Sequence, residues 1–261
     1  MSIGEQIRNA LQQDTGYRLR VAMGLVPGVS TVHLYGRSPG VDTTERVLWA
    51  PGAAAYGGWL SAAAPVRVKA GGNAADAAAG NGARKVLVTG LDADFAEASE
   101  EITTNGASAS SPTATSFIRV LEAHVTDCGS YATPYNTGDV SIETTGGVEV
   151  IRMLAGRAQS QVGVYTVPAG KVFYLAHVGV SVEGSKAATL RLWMRANAGD
   201  VVAPYTAQRL VNEWPVFQGA LERRHETWEA YAAKTDLWVS GFAALVSTAC
   251  SAEIEGYLVD A

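Results

Sequence analysis

Carboxylates and imidazoles are the side chains here whose chemistry would be easiest to use. Asp92 and Asp94 stand two residues apart after a strand-like run, with Asp76 and Asp139 in other loops. Such oxygens could hold calcium, a hard cation that takes carboxylates and carbonyls. Neither EF-hand nor RTX spacing surrounds them, and the residues read as solvated turns. Glu222-Arg223-Arg224-His225-Glu226 sets acid, base and imidazole side by side. HExxH fails there because position 229 is Glu, and consecutive residues of a strand point to opposite faces. The run reads as an exposed charged strand that neutralises itself. His33, His124, His177 and His225 each fall in a strand-like segment, with no Ser or Cys in a nucleophile elbow. No catalytic residue, cofactor or metal site is expected, and the chain is read as a non-enzyme.

The segment KVLVTG, residues 85–90, begins like the first strand of a nucleotide-binding fold. A phosphate cradle needs glycines after that strand, so that backbone amides at a helix N-terminus can approach the phosphates. Gly90 stands alone and is followed by Leu91-Asp92-Ala93-Asp94, whose carboxylates would repel a phosphate. The spacing predicts a hairpin instead: Lys85, Leu87 and Thr89 on one face, Val86 and Val88 on the other, GLDADF as the loop, and a return strand ending at Asn105-Gly106.

Bulk properties narrow the class. The chain has 20 basic and 25 acidic residues and no Lys/Arg-rich run, so no nucleic-acid partner is expected. No apolar stretch approaches the ~20 residues of a membrane span, and no membrane partner is expected. The N-terminal segment has charges throughout and no signal-peptide core, which reads as a soluble protein made in a cytoplasm. Cys128 and Cys250 lack zinc spacing and read as reduced and buried.

The elements that would position these residues are strands. Pro27-Gly28, Pro39-Gly40 and Pro51-Gly52 recur at short, even intervals with β-rich runs between them, the rhythm of an all-β sandwich or barrel. In YLAHVGVSV, Leu175, His177, Gly179 and Ser181 alternate with Ala176, Val178, Val180 and Val182 as a half-buried strand requires. TVPAGKVFYL reads as a hairpin turning at Pro168-Ala169-Gly170. Residues 70–83 and 106–116 are small and polar and read as exposed loops. The organisation expected is an arm over 1–21, a β-sandwich over 22–146, and a second β-rich domain or continuation of the sandwich over 147–261.

In the arm, Ile3, Ile7 and Leu11 form one apolar stripe on a short helix capped by Ser2. The stripe either docks on its own domain or grips a neighbouring subunit. Tyr17 joins it as a candidate contact. Tyr56 and Trp59, set among small residues, belong either to the core or to a subunit interface.

GARKVLVTGLDADFAEASEEITTNG, then TSFIRVLEAHVTDCGS and Asn136-Thr137-Gly138-Asp139, resembles a family of tailed-bacteriophage virion structural proteins common in marine and cyanobacterial phages. GLVPGVSTVHLYGRSPGVD, the Trp of ERVLWA and YTVPAGKVFYL are similar to the same family; Ser38-Pro39-Gly40 departs from its more usual Asn-Pro. The likeness runs from about residue 22 to 183. It implies a jelly-roll-like antiparallel β-sandwich on the virion, without enzymatic activity. The role implied is a capsid decoration or cement protein that binds the major capsid protein as a homotrimer. The alternative is a neck, tail, fibre or baseplate protein with other head or tail partners and a receptor- or glycan-binding role for loops 70–83 and 106–116.

Overall fold

The computed structural model describes residues 16–52 and 54–261. A short helix covers 16–22, and the rest of the regular structure is strand. In chain order the strands are β1 (Val29–Val41), β2 (Arg46–Val47), β3 (Ala64–Val68), β4 (Ala83–Leu91), β5 (Glu97–Thr103), β6 (Ser116–Phe117) and β7 (Arg119–Cys128). They continue as β8 (Val140–Thr144), β9 (Glu149–Met153), β10 (Val164–Thr166), β11 (Lys171–Arg195), β12 (Arg209–Tyr231), β13 (Asp236–Phe242) and β14 (Thr248–Asp260). The fold is all-β, with curled antiparallel sheets packed as sandwich-like half-barrels. Among the described residues no helix is long and apolar enough to cross a membrane.

The largest sheet has seven strands, in the order β1-β14-β11-β13-β10 with β12 also on β11 and β2 also on β13. Its spine is β11, which pairs along one edge with β14 and then β13, and along the other edge with β12. Phe173, Leu175, Val178, Val180 and Val182 of β11 are buried against Ala252, Ile254 and Leu258 of β14. The buried set changes parity between Leu175 and Val178. A bulge causes this: the register skips at Ala176, and beyond it every side chain changes face. Leu175 therefore shares the buried face with Val178 instead of opposing it, which corrects the unbroken alternation expected for YLAHVGVSV.

A four-stranded sheet, β6-β3-β8-β9, and a three-stranded sheet, β5-β4-β7, enclose a second core of Val66, Val86, Val88, Phe117, Ile142 and Ile151. The two cores meet at β10 and β13. Leu237 and Val239 of β13 enter the first core, while Trp238 between them packs on the second. Beneath this junction Arg119 of β7, 1% exposed, faces Asp236 of β13, which is fully buried, at 3.3 Å. Asp236 also accepts from Thr166 Oγ1 at 2.7 Å and Arg195 at 2.8 Å.

Several boundaries differ from the sequence expectations. The turn at Pro168-Ala169-Gly170 exists, with Gly170 at φ 72°, but β10 pairs with β13 and not with β11, so TVPAGKVFYL is a turn without a hairpin. Pro39-Gly40 lies inside β1 at a bulge between Ser38 and Val41. Residue 146 lies in the turn of the β8–β9 pair, and β1 lies beside β14. Loop 106–116 is not free. Ser110 and Thr113 are buried, their hydroxyls accept from the Val68 and Val66 amides at 2.9 and 3.0 Å, and the loop covers an edge of β3.

Candidate functional site

The β4–β5 hairpin is formed as its alternation predicts, with Leu91 opposite Glu97 and Val86 and Val88 buried. Asp92 Oδ1 accepts from the Asp94 and Ala96 amides at 2.9 and 3.0 Å, so the carboxylate organises the loop itself. Gly90 is buried because β7 passes close by: a Cβ there would stand 2.1 Å from the Arg119 carbonyl oxygen. Asp76 is buried and accepts from the amides of Ala83, Thr137 and Gly138, each at 2.8 Å, which ties loop 70–83 to the chain before β8. Asp139 Oδ1 accepts from Ala155 N. These carboxylates serve separate turns.

A different set of groups converges on the outer face of the large sheet. His33 of β1 is the register partner of Glu255 of β14, Glu255 of His177 of β11, and His177 of Arg224 of β12. These four residues form a transverse row across four strands. Two residues along, Tyr35, Glu253, Gly179 and Glu222 make a parallel row. The intervening Leu34, Ile254 and Val178 point into the core. Without the bulge at Ala176, His177 would keep phase with Phe173 and Leu175 and be buried among apolar side chains; the bulge turns it outward.

The partner strand bulges more strongly. Leu175 pairs with Glu229 and His177 with Arg224, so residues 225–228 of β12 bow out opposite Ala176 alone. This places His225 and Trp228 on the same cleft as Glu222 and Arg224, a space of about 500 Å³ that Arg18 also borders. Trp228 stacks on Tyr257 at 4.9 Å between ring centroids. Glu222, Arg223, Arg224 and Glu226 are exposed on the strand, as expected for this charged run, and His225 is the exception. Strict alternation fails at the bulge, and the His225 side chain is only 6% exposed.

His33 Nε2 lies 2.8 Å from Glu253 Oε1, and one ligand-capable atom from each of His33, Glu253 and Glu255 falls within 4.8 Å of the others. His177 Nδ1 stands 3.7 Å from Glu255 and its Nε2 4.0 Å from Glu222; both ring nitrogens are buried without a hydrogen-bond partner. His225 Nε2 is in the same condition. Burial pushes the His225 pKa down; Glu229 opposes this, while Arg223 and His177 add to it. Each buried polar atom left without a partner costs about 1–3 kcal/mol. Sequence reasoning weighed the histidines singly and passed over Glu253 and Glu255. The available signal was Glu253-x-Glu255, two acids at strand period on one face.

The expected contact residues fall elsewhere. Tyr17 is exposed and lies at 6.5 Å from Tyr257. Tyr56 and Trp59 join an aromatic ladder, Trp49-Tyr56-Trp59-Trp238, with centroid separations of 5.1 to 5.4 Å. Arg119 lies over Trp59. Ile3, Ile7 and Leu11 lie outside the described residues. Cys250 is buried, and burial pushes its thiol up to about 12; Cys128 is half-buried, not buried as expected.

An apolar surface lies farther along the β11–β12 pair, at the irregularity between Val182 and Ala187. Phe217 is 71% exposed, and Leu245 and Val246 are exposed with it. Phe217 borders an apolar groove of about 310 Å³ whose walls include Ala188, Pro215, Phe242 and Ala243. Lys186 Nζ donates to the carbonyls of Val246 and Ser247, which holds the 243–247 turn between β13 and β14 against β11. The outer edge of β12 has no strand partner among the described residues.

No protein-family model matches the chain, and no curated protein matches it. A solved structure of infectious bursal disease virus, Gt strain, aligns over 89% of this chain and 78% of that one at 11% identity, with a TM-score of 0.12. A score that low carries no argument about fold or function.

Proposed function

We propose that this chain is a non-enzymatic virion structural protein, a capsid decoration or cement protein that binds the major capsid protein as a homotrimer and stabilises the head. The observation that supports this reading is the apolar surface of Phe217, Leu245 and Val246 beside the groove at Pro215 and Phe242, next to the open β12 edge. Exposed large apolar side chains beside an apolar groove suit protein contacts, and an aromatic anchor supplies much of their energy. Pro215 and the charges of 222–226 limit runaway pairing along the edge, so side-chain docking and closed symmetry suit it better than open strand addition. A symmetric trimer would make modest contacts add through effective concentration.

The test is the mass of the purified protein by light scattering, followed by co-sedimentation with empty capsids. A trimer near three times 27.3 kDa that decorates capsids in ratio to their three-fold sites is expected. Phe217→Lys should weaken that association by about 30-fold, the equivalent of about 2 kcal/mol. A clean monomer with no affinity for capsids would sink the proposal. An oligomer that ignores capsids would move the protein to the neck, tail or fibre.

A further inference from the structure

We propose that His33, Glu253 and Glu255 bind one divalent transition-metal ion of the zinc class, with His177 as the fourth ligand. The four side chains come from three adjacent strands, and register alone brings them to one face: Glu255 lies between His33 and His177, with Glu253 one pleat away. Their ligand atoms are already close, within 4.8 Å for the first three and 3.7 Å between His177 Nδ1 and Glu255. Tetrahedral zinc bonds of 2.0–2.2 Å place ligand atoms roughly 3.3 Å apart. The remaining approach needs side-chain rotation at a partly exposed face, with the backbone left in place.

A second observation points independently to a ligand. His225, nine-tenths buried, borders the same cleft with Nε2 unpartnered, and both nitrogens of His177 lack a hydrogen bond. Folding alone gains nothing from imidazoles held in that state. A paired bulge in β11 and β12 is what holds them there, and bulges of this kind re-aim side chains beside functional sites. Once a metal is bound, His225 and Glu222 stand where they can orient a metal-held water or a ligating side chain.

The donor set decides the class of ion. Two imidazoles with two carboxylates suit zinc and its borderline neighbours, whereas calcium takes six to eight oxygens. Arg18 and Arg224 also border the cleft, against the three carboxylates of Glu222, Glu253 and Glu255. Clamping β1, β14 and β11 together, the ion would stabilise the folded state by mass action.

The experiment uses the full chain, stripped with a chelator and titrated with Zn²⁺ by calorimetry and with Co²⁺ by visible absorption. One Zn²⁺ per chain, a tetrahedral Co²⁺ spectrum and a Zn²⁺-dependent rise in melting temperature are expected. His33→Ala and Glu255→Gln, both at exposed positions, should each lower Zn²⁺ affinity at least tenfold while the metal-free proteins melt as the parent does. Wild-type Zn²⁺ affinity in either variant would overturn the proposal. So would no Zn²⁺ binding, or Ca²⁺ binding more tightly than Zn²⁺ at this site.

Discussion

Arg119 and Asp236 are the pair in which one residue decides most. The guanidinium also donates to the carbonyls of Leu60, Ile118 and Ala198 and lies over the rings of Trp59 and Phe95. Removing one member of such a pair strands the other in a dry interior, which costs about 3–5 kcal/mol. Arg119→Met should therefore lower the unfolding free energy by that amount in urea, partly relieved because Arg195 and Thr166 still reach Asp236. A loss below about 1 kcal/mol would show that the arginine is not structural. In the sequence this residue is one Arg within a strand, FIRVLEA, and nothing local distinguishes it from a solvated charge. Its role comes from a partner 117 positions away.

Among elements, β11 and loop 106–116 show how far local pattern carries. Residues 171–182 and 187–195 are halves of one strand, because Gly184 at φ 70° lets the chain bend at an irregularity and continue. The N-terminal half of β12 carries Pro215, a residue that normally demotes a strand and is tolerated here on an edge. The hairpin β4–β5 was legible in full, since its alternation, loop chemistry and turn signal agree. Composition alone reads loop 106–116 as exposed, which holds for Ala107, Ser108, Ser111, Pro112 and Ala114 and not for Ser110 and Thr113. Small polar residues do make poor cores, but Ser110 and Thr113 are well suited to capping the amides of an exposed strand edge. Thr113→Val, which keeps the shape and loses the acceptor for Val66 N, should destabilise the fold by about 1–3 kcal/mol in chemical denaturation. An unchanged midpoint would mean that the loop is loosely held and free to serve as a binding loop.

Across the whole molecule, the pairing of β1 with β14 closes the chain on itself, and β10 and β13 are shared between two cores. Sharing a strand's two faces, with the Arg119–Asp236 pair beneath, leaves neither core able to unfold without exposing the other. A single calorimetric transition is expected, with equal calorimetric and van't Hoff enthalpies. Two resolved transitions would show independent units. By itself the sequence determined what depends on near neighbours: an all-β chain, most of its strands, and the hairpin where a phosphate site could have stood. Short-range sterics and alternation decide those features, and they act over a few residues. The tertiary structure alone decided which strands lie side by side, and so which histidines and glutamates share a face. A bulge at Ala176 that leaves no mark on the alternation of YLAHVGVSV turns His177 out of the core and toward Glu255. Register between β1, β14 and β11 is set by packing the buried side of the sheet, and the outer row of His33, Glu255 and His177 follows from it.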